Sequence, residues 1–276
     1  MTKQVEKEES KEYINSRIAS YTTKKSLTED EYRTLGNLYQ FNGQGNVLDS
    51  LQNVIAEKYP KGQFAQQAVW SKFYEEKDAS KQKEILKQFE TNFGKDSRIR
   101  NMMLTRLAEV ELKNNKPEEF TRLVNQVSDK SMLPGFYNNV AWSYAEKGEN
   151  LDFAASISKK SLELAKSSMG DLSDKPDYYS VSQYKNSQKN TYNMFADTYA
   201  FIKFKQGNID EAIKYQKEAV GEGKNPEYNS RYMEFLVAGK KYPEILKEAE
   251  KYIKDGNTTA NINKYYKEAY VGINGS

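Results

Sequence analysis

Over most of the chain, apolar residues recur three and four positions apart, with charged and polar residues between them. That spacing places the apolar side chains on one face of a helix. Within it a sharper pattern returns: a bulky residue, a small or aliphatic pair three and four positions on, then another large side chain. Tyr32-x2-Leu35-Gly36-x2-Tyr39 shows it first, with Gly43 in the turn, Leu48 and Ile55 on the next helix, and Pro60 closing the unit. There Gln52 replaces the usual aromatic. Tyr137-x2-Val140-Ala141-x2-Tyr144 repeats the pattern, with Gly148 in the turn and Ala154 and Ile157 beyond. Ala196-x2-Tyr199-Ala200-x2-Lys203 leads to Gly207, Ala212 and Ala219. Tyr228-x2-Arg231-Tyr232-x2-Phe235 leads to Gly239, Tyr242, Ile245 and Ala249. The small residue lets a second helix approach closely.

This pattern resembles the tetratricopeptide repeat, a helix pair of about 34 residues. Second-helix positions keep that interval: Phe120 to Ala154 spans 34 residues and Ala212 to Ile245 spans 33. Ala154 to Ala212 spans 58, one repeat plus 24 residues inserted around Ser167 to Asn190. In Gly207-Asn-Ile-Asp-Glu-Ala212, Gly is expected to end one helix in the left-handed conformation. Asn208 is expected to cap the next with its side chain, and Gly148-Glu-Asn-Leu-Asp to follow the same logic. Pro117 suits a first helical turn.

The expectation is an all-α, tetratricopeptide-like α-solenoid of stacked antiparallel helix pairs, with about eleven or twelve helices. Helices are expected near 4–20, 64–76, 79–92, 97–113 and 117–128, with a hairpin over 29–58. The better repeats run from 135 to 254, and a helix near 259–271 caps the array. Residues 1–134 form divergent helical repeats and 135–276 the better repeats, as one continuous solenoid. The stretch from Ser167 to Gln183 reads as an irregular surface loop.

Composition supports helices over a turn-rich fold. Gly numbers 15 and Pro 6 in 276 residues, so backbone breakers are few. A mean hydropathy of −0.91 suits a solenoid, which exposes much surface per residue. Net charge is +3 with interspersed signs, so no nucleic-acid partner is expected. No stretch is long and apolar enough to span a membrane.

The chain contains no Cys and no His. Thiol chemistry is therefore excluded for it, and so are the commonest general base and metal ligand. No metal or cofactor motif appears. The acidic pairs Glu8-Glu9, Glu75-Glu76 and Glu118-Glu119 point about 100° apart on a helix and read as solvated faces. Tyr39, Tyr144 and Tyr199 occupy repeat-packing positions. Trp142 lies one residue past the small position, toward the inner groove, and Asn138, Asp197, Phe201 and Phe204 fall on similar offsets. These five are the candidate groove for a peptide or sugar, set against ordinary contacts between helices. Tyr178, Tyr179 and Tyr184 form a second patch, either an interface or an anchor for the loop.

The runs Asn139-Val-Ala-Trp-Ser-Tyr-Ala-Glu-Lys-Gly-Glu-Asn-Leu-Asp-Phe-Ala154, Tyr192-Asn-Met-Phe-Ala-Asp-Thr-Tyr-Ala200 with Gly207 to Ala219, and the tail from Lys264 resemble a further family. This is the helical region that precedes a thioredoxin-like domain in envelope thiol–disulfide oxidoreductases of Bacteroidetes-type bacteria. The resemblance covers about 135–276. It implies a periplasmic or envelope location, lipid-anchored after removal of a signal peptide, and a catalytic CxxC in a following domain. No redox residue carries over to this Cys-free chain. The function expected is a non-catalytic protein-interaction or scaffold module. Its partner would be a protein or peptide, a C-terminal thioredoxin-like domain, or a second copy. The alternatives are a glycan- or nutrient-binding surface protein, and a catalyst working with carboxylates or Tyr alone.

Overall fold

The computed structural model describes residues 2–275, with side chains left aside at 2–9, 48 and 49; Glu8, Glu9 and Leu48 thus lie outside the described side chains. Among the described residues the chain is all-helical, without strands, and its helices pack in adjacent pairs. It divides into two compact units at Asp129/Lys130, where the sequence suggests a change of repeat character at 134/135.

The first unit holds α1 (Thr2–Thr22), α2 (Glu29–Phe41), α3 (Gly45–Lys58), α4 (Gln63–Glu75), α5 (Ala79–Phe93), α6 (Arg98–Lys113) and α7 (Pro117–Asn125). The second opens with a 3₁₀ turn (Lys130–Met132). It continues with α8 (Leu133–Lys147), α9 (Leu151–Ser167), α10 (Val181–Lys205), α11 (Ile209–Val220), α12 (Pro226–Ala238), α13 (Tyr242–Lys254) and α14 (Ala260–Asn274). The fourteen described helices exceed the expected eleven or twelve, because every repeat-like stretch breaks fully at its turn.

The turns explain those breaks. Gly148 and Gly207 take positive φ, at 72° and 78°, as a left-handed helix end requires. The caps expected after them are absent: neither Asn150 nor Asn208 makes a side-chain cap bond. The backbone does the work instead, since the Asn208 N–H donates to Lys203 O at 2.9 Å and closes the preceding helix. Gly239 lies in its turn as expected. Its φ is −84° and Lys240 takes the left-handed angle, 53°. Gly239 serves close approach: a Cβ there would sit 2.9 Å from Ile213 Cδ1. Side-chain caps occur at Thr28 and Ser180, each in a reciprocal box with a residue three on, and at Asp78 and Asn225.

In the second unit each helix packs on its successor, and α8 also meets α10 as α12 meets α14. Such second-neighbour contact between parallel first helices is the geometry of stacked repeats. Fully buried alanines mark the close approaches: Ala141, Ala145, Ala154, Ala196, Ala200 and Ala212. Phe235 packs on Ala200 and Ala212, and Phe195, Tyr199 and Tyr232 are also buried. Each large apolar side chain withdrawn from water contributes roughly 1.5–3 kcal/mol. The insertion is only partly a loop. Residues 168–180 are irregular, but the rest extends α10 to 25 residues. Gln188 fastens the loop to that extension. Its amide donates to Ser168 O and Asp171 O at 2.9 and 2.7 Å, and accepts from the Gly170 N–H at 3.0 Å.

The first unit centres on Phe73, Phe89, Leu104, Leu107 and Phe120, all buried. Beside this core lies an ion network. Lys83 Nζ meets the buried Glu111 at 2.5 Å and Glu119 at 2.9 Å, while Arg122 meets Glu119 at 2.7 Å. The hydrogen bond from Arg122, then that from Lys83, holds the Glu119 carboxyl down at about 2 against the opposing effect of burial.

Two outcomes follow. Ala200→Leu forces a branched side chain between α10, α11 and α12 and should cost about 1–3 kcal/mol; an unchanged melting temperature would mean the helix register is misread there. Because the Glu119 pKa is lower in the folded state, its stabilisation is complete above the ordinary carboxylate value of 4.5 and is lost as pH falls toward 2. Glu119→Gln should therefore flatten the fall in melting temperature across that window; parallel pH profiles would remove the network from the account.

Candidate functional site

The first helices of three successive hairpins, α8, α10 and α12, supply the residues of the candidate groove. On α8, Asn138 and Trp142 stand one turn apart and share a face. On α10, Asp197 and Phe201 do the same, with the same offset from Asn138 and Trp142 respectively. The structure brings Trp142 and Phe201 together, with ring centroids 5.3 Å apart and planes tilted by 35°.

Arg231 of α12 completes the cluster. Its guanidinium carbon lies 5.5 Å from the Trp142 ring and 5.2 Å from the Phe201 ring. It also forms an ion pair with Asp197, 34 residues earlier, one repeat length along the chain. Asp197 is only 6% exposed. A carboxylate so buried requires full pairing, and Gln216 of α11 adds a second donor at 2.8 Å while also donating to Tyr228 O at 3.2 Å. Thus Asp197 is held by α11 and α12 together, and it fixes the guanidinium over two aromatic faces. Such cation–aromatic contacts are worth roughly 0.5–2 kcal/mol each.

Two of the five predicted groove residues prove buried rather than lining an open surface: Asn138 at 5% exposure and Asp197. Asn138 nevertheless retains an acceptor, for its Oδ1 has no hydrogen-bond partner. Trp142 and Phe201 are partly exposed. Phe204 is drawn elsewhere: its ring stacks on buried Phe235 at 4.4 Å and 17°, beside Ala200 and Ala212. It serves helix packing between α10 and α12. Arg231 and Gln216 were not singled out from sequence as site residues. The available signal was Arg231 itself, a charged residue where the repeat pattern places Leu.

The tyrosine patch divides. Tyr179 lies edge-on to Tyr184 of α10 at 6.2 Å, anchoring the loop, while Tyr178 packs on Tyr179 at 5.0 Å and remains 83% exposed. Lys175 Nζ reinforces the turn by donating to Pro176 O and Tyr179 O.

The buried tyrosines carry a repeated device. Tyr199 donates to Glu211 at 3.1 Å and Tyr232 to Glu244 at 2.6 Å, each across one hairpin and each twelve residues apart. Burial, with the facing carboxylate, pushes both phenols well above their ordinary value. At neutral pH they remain protonated donors, unsuited to act as base or nucleophile. Among the described residues no group of three or more Asp or Glu gathers as a metal site, and no helix is long and apolar enough to cross a membrane. No family model matches the chain, and no curated protein matches it.

Proposed function

We propose that this chain is a non-catalytic protein-interaction module whose second unit holds an extended peptide segment against α8, α10 and α12. The observation that carries this reading is the partly exposed Trp142–Phe201–Arg231 cluster, seated on the buried Asp197. Aromatic and Arg side chains dominate interface hot spots, the aromatic ones because they bury large area with little conformational freedom to lose. Here the ion pair and the Gln216 bond fix the platform before any partner arrives, which lowers the entropic cost of binding.

The resemblance to the helical region beside thioredoxin-like domains supports an envelope setting for this module, with such a domain, a substrate protein or a second copy as the partner. The aromatic cluster suits any of these provided the bound segment is extended and offers an apolar side chain.

A peptide library displayed on phage and selected on the full chain supplies the probe. Selected peptides should bind the Trp142→Ala variant at least tenfold more weakly, a loss of about 1.4 kcal/mol, with helicity unchanged by circular dichroism. Equal affinity for the parent and for both Trp142→Ala and Phe201→Ala would remove this face from the function.

A further inference from the structure

The groove face of α10 continues toward the start of that helix. Asn186, Asn190 and Asn193 precede Asp197 and Phe201 in steps of three or four residues, so all five share one side. Asn is a poor helix former, because its amide competes for backbone hydrogen bonds. Three on one face of an extended helix therefore work against the local structure. Asn186 and Asn190 are exposed and Asn193 is half-buried, its amide nitrogen facing Gly221.

The three asparagines line a cavity of about 480 Å³, bounded across from α10 by the turn between α11 and α12. That size falls within the roughly 300–1,000 Å³ typical of small-ligand sites. Its apolar lining is Ala219 and Val220, with the half-buried Tyr228 beside them. Its charges are paired through one carboxylate that faces two ammonium groups, leaving one positive charge in excess. Glu222 pairs with Lys224 at 2.6 Å and Lys189 at 3.3 Å, and the two ammonium groups hold its carboxyl below the ordinary value. An incoming anion would have to displace or face that carboxylate.

We propose that this cavity binds a neutral saccharide of one or two rings. Each amide side chain carries one acceptor and a donor pair, the combination that neighbouring hydroxyls satisfy, since every hydroxyl both donates and accepts. The apolar lining and the Tyr228 ring suit the C–H face of a sugar. Lys189, Lys224 and Glu222 offer both donors and an acceptor to hydroxyls. This site is separate from the aromatic cluster, and the assignment does not rest on the peptide reading.

The test uses the full chain with maltose, cellobiose, lactose and N,N′-diacetylchitobiose as probes, by saturation-transfer NMR and by the side-chain amide resonances of labelled Asn. At least one disaccharide should bind with a millimolar or tighter constant and shift those resonances. The combined variant Asn186→Ala, Asn190→Ala and Asn193→Ala should weaken that binding at least tenfold. Alanine favours the helix; should the combined variant nonetheless lose helicity, Asn190→Ala alone carries the comparison. Absence of binding by all four at up to about 10 mM, well past millimolar affinity, would overturn the proposal. So would sugar binding indifferent to the substitutions, or resonance shifts produced by inorganic phosphate in place of sugar. Loss of selected-peptide binding alone in the combined variant would assign the asparagines to the peptide face and equally end the saccharide reading.

Discussion

Close approach of helices at fully buried alanines is the constraint on which the second unit depends. Ala141, Ala154, Ala200 and Ala212 are fully buried, so a larger side chain there would have to displace closely packed neighbours. The neighbouring helix therefore comes near enough for Phe195, Tyr199 or Phe235 to be enclosed on every side. Packing at interior density makes that arrangement discrete, because a small displacement forfeits many contacts at once. The polar side chains of the unit are then placed by the apolar ones. Asp197 meets Arg231 because the alanine at 200 sets where α10 and α12 stand.

Buried polar groups give the packing its direction. The apolar contacts alone would tolerate sliding of one hairpin along the next, whereas Asp197 tolerates little. It is withdrawn from water and satisfied only when Gln216 and Arg231 are both in register. A wrong register would leave a carboxylate unpaired in the interior, at several kcal/mol. Tyr199 with Glu211 and Tyr232 with Glu244 apply the same restriction within each hairpin. Glu111 plays the comparable part in the first unit, where its side chain is 1% exposed and faces Lys83 and Lys116.

The legible part of the fold was what repeats. Helix existence, the hairpins and the small positions such as Ala141 and Ala200 follow from residues spaced three and four apart. The turn chemistry was less legible. Asn150 and Asn208 resemble caps in one dimension, yet the chain leaves Gly148 and Gly207 at angles that let backbone N–H groups close the helix. Gly239 was legible as a turn residue, but not that it must be small to admit Ile213. At the candidate site, Trp142 and Phe201 were identifiable from their register. Phe204 shares that register and yet stacks inward, because which neighbour it meets depends on Phe235 in the next repeat. Arg231 and Gln216 escaped notice for the same reason: their importance arises from a carboxylate distant in sequence.

The insertion explains why one helix can carry two chemistries. A repeat of ordinary length would end the inner face of α10 near Asp197 and Phe201, where α8 and α12 stand beside it. The added turns carry that face on to Asn190 and Asn186, which are exposed, while Asn193 stays half-buried beside the turn between α11 and α12. Aromatic side chains would be costly in that position, being exposed without anything to bury them. Asparagines are tolerated, and the Ser180–Gln183 box with the Gln188 bonds to the loop supplies the helix stability that they withhold. The face thus changes from aromatic to amide toward the start of α10. Chain length, through the inserted residues, sets where that change occurs.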